Sequence, residues 1–159
     1  MFAARPGRNS LRPIPTSSQT PCACSPMSDL YALRGDEPVF SVEQVGDIVI
    51  LTMVADVKSS SYQSMQHEYN RLYGVLGQDQ VQYAAFDLTN CVILDSVMVG
   101  VLVNLTHRIR DRGGNAILIG MSDHVREVLE RLMLLQADNK RAMWTTYATR
   151  QDAYEAYPW

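Results

Sequence analysis

The sequence of residues 91–120 is CVILDSVMVGVLVNLTHRIRDRGGNAILIG, and its pattern decides the fold class. A short apolar run, predicted as a strand, leads into Asp95-Ser96. An apolar helix is then predicted from about Val97 to Arg112, and Gly113-Gly114 ends it. The next predicted strand, NAILIG, follows directly. Strands that alternate with a helix in this way predict a sheet covered by helices.

The same alternation continues on both sides of this segment. VFSVEQVGDIVILTMVAD is predicted as two strands joined by a tight hairpin at Gly46-Asp47, and Ile48 to Val54 is apolar enough for a central strand. Apolar residues at helical spacing then predict an amphipathic helix that ends at Gly77. The remaining predicted elements are a strand in VQYAAFDLT, a helix opened by Ser122, a strand in AMWTTYA and a terminal helix capped by Thr149. The helix opened by Ser122 is predicted to carry one apolar side, namely Val125, Val128, Leu129, Leu132 and Met133.

The first 28 residues differ in kind from the rest. They are rich in Pro, Ser, Thr and Arg and show no apolar periodicity. Such a segment cannot bury enough apolar surface to offset its conformational entropy. We therefore expect residues 1–28 to be a disordered tail, with Met27 as an alternative start, and residues 38–159 to form the folded domain.

Composition excludes two classes of partner. The chain has 159 residues and a formal net charge of −3, and residues after the first 28 carry 11 basic and 17 acidic side chains, a net −6. Nucleic-acid binding depends on clustered Lys and Arg, so an acidic body argues against it. No apolar run reaches the ~18 residues that a membrane span needs. We therefore expect neither a nucleic-acid partner nor a membrane span.

The predicted helix after Asp95 has two unlike faces. Ser96 is placed to act as its N-cap. At ~100° per residue, one stripe is predicted to face the core, namely Met98, Val101, Leu102, Leu105 and Ile109. The opposite face is predicted to be exposed, small and apolar, namely Ser96, Val99, Gly100, Val103 and His107. An apolar surface beside an exposed hydroxyl suggests a docking surface that phosphate on Ser96 would make charged.

The sequence offers no catalytic or metal-binding pattern. Ser96 and His107 are 11 residues apart on one predicted helix, so ~16 Å separates them along its axis and they cannot act as nucleophile and base. His67-Glu68 lacks the second histidine of a metalloprotease helix. The three cysteines form neither a metal-binding nor a redox pair, and Cys91 is expected in the core. We expect no enzymatic activity, no cofactor and no metal.

The order of elements and the run FDLTNCVILDSVMVGVLVNLTHRIRDRGGNAILIGMSDHVREVLE resemble the STAS domain of bacterial anti-sigma factor antagonists. Asp87, Asp95-Ser96, Gly100, Gly113-Gly114 and the helix from Ser122 match that pattern in register. The resemblance extends from about Phe40 to Tyr157. It implies an α/β fold with a mixed sheet of four to five strands and helices packed mainly on one face.

The resemblance also implies a function. In that family the serine after the aspartate is phosphorylated by a partner that is both kinase and anti-sigma factor, and a phosphatase resets the protein. Ser96 would then be the phospho-acceptor of a cytoplasmic regulator of transcription, and a homodimer is left open. The residues expected to form the partner surface are Asp56, Lys58, Asp95, Val97, Val99, Gly100 and Val103.

The sequence departs from the family pattern at several places. Val97 and Met98 replace a second serine and a glycine, while Ala55 and Lys58 replace a glycine and an aspartate in the loop after the second strand. These departures keep an alternative open, in which the chain is an interaction module of a stressosome-like or lipid-transport assembly without phospho-switching. Lys58 could instead pair with a phosphate on Ser96 if the two lie close together.

Overall fold

The structure is a computed structural model that describes residues 38–54, 62–135 and 142–159. The described strands are β1 (Phe40–Val45), β2 (Ile48–Met53), β3 (Tyr83–Asp87), β4 (Asn115–Ile119) and β5 (Thr145–Tyr147). The described helices are α1 (Tyr62–Val75), α2 (Ser96–Arg110), α3 (Asp123–Arg131) and α4 (Arg150–Glu155). The predicted disorder of residues 1–28 falls outside the described residues.

The strands form one mixed sheet in the order β1-β2-β3-β4-β5. β1 and β2 pair antiparallel across the hairpin at Gly46, whose φ of +64° suits glycine. β2, β3, β4 and β5 pair parallel, so β3 is the central strand. The carboxyl ends of the parallel strands therefore meet at one edge of the sheet, where α2 begins.

The sheet separates a large core from a small one. The large core joins the inner faces of α1, α2 and α3 to one side of the sheet, with Leu51 and Phe86 fully buried at its centre. The small core packs Ala153 of α4 against isoleucines and Ala85 on the other side. Three helices on one face and one on the other confirm the predicted fold class. Among the described residues, no helix is long and apolar enough to cross a membrane.

The local predictions are largely confirmed, with two corrections. The hairpin and the caps at Ser122 and Thr149 are as expected. Residues 91–94, predicted as a strand, form an irregular loop because β3 already ends at Asp87. α3 ends at Arg131, so Leu132 and Met133 are half exposed although the helical pattern predicted them to share a face with Val125 and Leu129.

Edge strand β1 is held by an ion pair on α1. The buried carboxylate of Glu68 accepts the backbone N–H of Phe40 at 2.9 Å. Arg71 donates to the Phe40 carbonyl at 2.7 Å and to Glu68 at 2.6 Å. Both outward-facing peptide groups of Phe40 thus have partners, which fixes α1 against the edge of the sheet and blocks strand addition there.

A second ion pair joins three elements at the end of β3. The buried Asp87 carboxylate accepts the Arg150 Nε–H at 2.7 Å, and Arg150 also donates to Thr52 at 2.8 Å. The other Asp87 oxygen accepts the backbone N–H and the hydroxyl of Thr89, at 3.1 and 2.6 Å. Burial opposes ionisation of Asp87, but the hydrogen bonds from Thr89 and Arg150 outweigh it and hold the pKa of this carboxyl below its ordinary value.

Asp87→Asn removes the charge while preserving the shape of the side chain. At pH 7 we expect it to lower the free energy of unfolding by ~1–3 kcal/mol, because Arg150 loses an ionised acceptor. A lowered folded-state pKa stabilises the protein above the ordinary value of 3.8, and this contribution is lost as pH falls below it. Urea unfolding should therefore show the difference from the wild type narrowing below pH ~4. The exposed Asp111→Asn is the matched control, and a difference independent of pH would contradict this account.

The end of α3 is closed by a left-handed residue that is not glycine. Met133 has φ of +59°. Its N–H donates to the Glu130 carbonyl at 2.9 Å, and the Leu134 N–H donates to the Leu129 carbonyl at 3.0 Å. This is the Schellman arrangement, in which glycine is preferred at the left-handed position.

Met133→Gly should raise the free energy of unfolding by ~0.5–1 kcal/mol, since relief of the left-handed strain exceeds the added chain entropy of glycine. Met133→Ala is the control, because alanine retains the Cβ that causes the strain. Thermal unfolding measures both variants. Equal melting temperatures for the glycine and alanine variants would show that the backbone is not strained at this position.

Candidate functional site

The loop from Leu88 to Asp95 carries the central strand to the start of α2. Two hydrogen bonds anchor its start: the Leu88 N–H donates to the Ile119 carbonyl at 2.9 Å, and the Asn90 side-chain amide donates to the Met53 carbonyl at 3.2 Å. Cys91 and Leu94 are buried in the large core, as expected for Cys91. The loop is therefore tied to the ends of both β2 and β4 as well as to the core.

Between the buried residues Cys91 and Leu94 the loop exposes apolar side chains. Val92 is 67% exposed and Ile93 is 38% exposed, and Val97 in the first turn of α2 is 44% exposed. Val54, next to the Asn90 contact at the end of β2, is also exposed. With Asp95 and Ser96, these four residues are called the Ser96 surface below. Val54, Val92 and Ile93 are absent from the predicted partner surface. The apolar run before Asp95-Ser96 is predicted as a strand, and Val54 is predicted as the last residue of a central strand.

The start of α2 corrects the predicted cap. Asp95, not Ser96, is the N-cap: its backbone is extended and its carboxylate accepts the Met98 N–H at 2.7 Å. Ser96 is the first helical residue and its side chain is exposed. A carboxylate at this position satisfies a free N–H and is also favoured by the helix dipole. The Ser96 hydroxyl is therefore not needed to cap the helix.

The outward face of α2 is narrower than predicted. Met98, Leu102 and the rest of the predicted inner stripe are buried. Val99, predicted to be exposed, is only 8% exposed and belongs to the large core. Gly100 and Val103 are half-buried, and Val103 packs against the same core. The physical reason is that α2 lies between α1 and α3 on the sheet, so residues at the sides of its stripe are covered too.

The other predicted site residues divide into two groups. Asp95 and Val97 lie beside Ser96 on the exposed surface. Asp56 and Lys58 lie outside the described residues, so their places in the partner surface stay predictions. Among the described residues, no group of three His, Cys, Asp or Glu side chains could hold a metal ion.

The two residues at the start of α2 are predicted to affect stability unequally. Asp95→Ala should lower the free energy of unfolding by ~1 kcal/mol, because the Met98 N–H loses its acceptor. Ser96→Ala should change it by less than ~0.5 kcal/mol, as for an ordinary surface position. Urea unfolding of the two variants makes the comparison, and an equal or larger loss for Ser96→Ala would return the capping role to Ser96.

No curated protein sequence matches the chain. The fold is similar to that of the anti-sigma factor antagonist SpoIIAA in its unphosphorylated form, with 18% identity, a TM-score of 0.59, and coverage of 73% of this chain and 93% of SpoIIAA. An anti-sigma-factor antagonist (STAS) domain protein from Planctomyces limnophilus has 19% identity and a TM-score of 0.61, with 76% and 98% covered.

A third similar structure belongs to a much longer protein. The murine anion transporter Slc26a9 has 10% identity and a TM-score of 0.59, and the match covers 81% of this chain but only 24% of the transporter. These likenesses show a common fold. The sequence profile of the STAS domain matches residues 40–153, and the chain therefore belongs to the STAS domain family.

Proposed function

We propose that this protein is a phospho-switched anti-sigma factor antagonist. Without phosphate, its Ser96 surface binds a partner that is both serine kinase and anti-sigma factor, which releases a sigma factor for transcription. Phosphate on Ser96 ends this binding, and a phosphatase restores it. This proposal treats the protein as a bacterial, cytoplasmic binding module without a reaction of its own. Its family supports this role, since the solved STAS domains with similar folds include anti-sigma factor antagonists.

The observation that carries the proposal is the exposed hydroxyl among exposed apolar side chains. A loop with several anchors holds Val92 and Ile93 in solvent instead of turning them into the core. Burying such surface against a partner contributes ~25 cal/mol per Å² of apolar area. Val92, Ile93 and Val97 lie within six positions of the chain, and exposed apolar side chains grouped in this way are typical of protein interaction sites.

Charge makes this surface switchable without a change of fold. Phosphate would add about −1.5 to −2 charges beside the Asp95 carboxylate. The start of α2 tolerates an anion, because free N–H groups and the helix dipole favour negative charge there. An apolar partner surface would not, because it would have to desolvate the phosphate. Among the described residues, no Lys or Arg side chain hydrogen-bonds Asp95, so Lys58 is proposed as the cation that could answer the phosphate.

A second candidate function is a STAS interaction module in a larger assembly that is not phosphorylated. Two observations favour it. Met98, where the family has a glycine, is fully buried, and Val97 in place of the second serine is exposed. A similar fold also occurs as about a quarter of an anion transporter. In that case the Ser96 surface would bind its partner regardless of the charge at residue 96, and a homodimer would be one form of assembly.

The test is partner affinity. The tagged full chain captures its partner from its own cells, and the purified partner is then titrated with each variant. Ser96→Glu should weaken binding about tenfold, a loss of ~1.4 kcal/mol, and a single charge makes this a lower limit for phosphate. Val92→Glu should weaken it at least as much, since Val92 is the most exposed apolar side chain of the surface. Val103→Glu is unsuitable because Val103 touches the core.

Two control variants separate docking from folding. Ser96→Ala should bind within twofold of the wild type, and so should Ser41→Glu, which adds a charge at an exposed serine of β1. If Val92→Glu weakens binding and Ser96→Glu does not, the second candidate function replaces the first. Wild-type affinity in both glutamate variants would remove the Ser96 surface from the interaction altogether.

A further inference from the structure

A stacked arginine lies at the other end of α2 from Ser96. The guanidinium carbon of Arg108 is 4.6 Å from the centre of the Tyr73 ring on α1. Tyr69, one helical turn earlier, contacts Tyr73 with ring centres 5.7 Å apart. Tyr73 is 39% exposed and Arg108 is partly exposed. Tyr73 and Arg108, with Tyr69 at their side, are called the Tyr73–Arg108 surface below.

Arg108 differs from the other partly buried arginines of the described chain. Arg71, Arg112 and Arg150 each donate to a carboxylate. Arg108 has a buried Nε–H without an acceptor, and its described contact is the ring of Tyr73. A buried donor without an acceptor costs ~1–3 kcal/mol. Among the described residues no acceptor offsets this cost, and stacking holds the guanidinium against the Tyr73 ring.

The surroundings favour an anion from outside. α2 itself contains no acidic residue, and Asp111 at its C-cap forms no ion pair with Arg108 in the described structure. The carboxylate of Asp79 is already bound to Arg112 at 3.1 Å. The missing side chain of Gly77 allows Arg108 to lie close to the end of α1, since a Cβ there would come within 2.6 Å of an Arg108 terminal nitrogen. Because the Nε–H is buried, a carboxylate from outside would be bound by the two terminal nitrogens of the planar guanidinium, through two parallel hydrogen bonds. Tyrosine and arginine together are also the residues enriched at the energetic centres of protein interfaces.

We propose that the Tyr73–Arg108 surface binds a carboxylate side chain from an acidic segment of a partner protein. This goes beyond the proposed function, because Arg108 lies 12 residues after Ser96 on one helix, ~18 Å along its axis. The two surfaces can be occupied together. Binding at the Tyr73–Arg108 surface is therefore independent of phosphate on Ser96.

An octaglutamate peptide is the probe. It is titrated into the ¹⁵N-labelled full chain at low salt while the arginine Nε–Hε signals are followed by NMR. The Arg108 signal should shift and saturate ahead of the other arginine signals, and octaglutamine should cause no shift.

Backbone amide shifts around Tyr73 and Gly77 then give affinities for the variants. Arg108→Lys should weaken binding at least fivefold, and Tyr73→Leu about threefold through loss of stacking. Arg126→Lys, at an exposed arginine of α3, should not change it.

Ser96→Glu should bind octaglutamate like the wild type. The acidic-partner proposal can therefore fail while the proposed function stands, and the proposed function can fail while the acidic-partner proposal stands. Equal shifts at all arginines would mean nonspecific attraction and would overturn the proposal. Sedimentation gives the remaining outcome. If the wild type forms dimers that Arg108→Lys abolishes, the occupant is a second copy of this chain, and the acidic-partner proposal is wrong.

Discussion

The ion pair between Asp87 and Arg150 is the constraint on which the rest of the site depends. Asp87 ends the central strand, and its two oxygens are used in opposite directions, one toward α4 and one toward the turn at Thr89. Arg150 meanwhile reaches Thr52 on β2. A single buried carboxylate thus holds α4 on one face of the sheet. It also fixes the start of the loop that leads from β3 to α2 on the other face. Its lowered pKa keeps this carboxylate ionised to a more acidic pH than an ordinary aspartate.

From that turn onward, each anchor has a consequence for the surface. Leu88, Cys91 and Leu94 are held in the large core, so the residues between them are left in solvent. Asp95 is the N-cap of α2, so the neighbouring Ser96 hydroxyl is exposed and is not needed for the cap. A charge added at such a position changes what the surface can bind without disturbing the packing beneath it. The fold can therefore hold the Ser96 surface in place while a charge added at Ser96 changes what that surface binds.

Elements with a strong local pattern could be predicted from the sequence. The apolar run of β2, the hairpin at Gly46 and the caps at Ser122 and Thr149 depend on neighbouring residues alone. The choice between Asp95 and Ser96 as cap could not be made this way, since both residue types are good caps. Burial of Val99 follows from the helices that flank α2, and exposure of Val92 and Ile93 follows from long-range anchors of the loop. The stacking of Arg108 on Tyr73 likewise joins residues 35 positions apart, which no local pattern reports.

The central claim is that Ser96 is a phospho-acceptor, and the most direct measurement is site-specific phosphate occupancy in the protein isolated from its own cells. Mass spectrometry of peptides covering residues 91–108 should find phosphate on Ser96, in a fraction that changes with growth conditions. The exposed Ser122, which is the N-cap of α3, provides the comparison in a separate peptide and should carry none. Phosphate absent from Ser96 under every condition in which the protein is made, or present on Ser122 instead, would contradict the account.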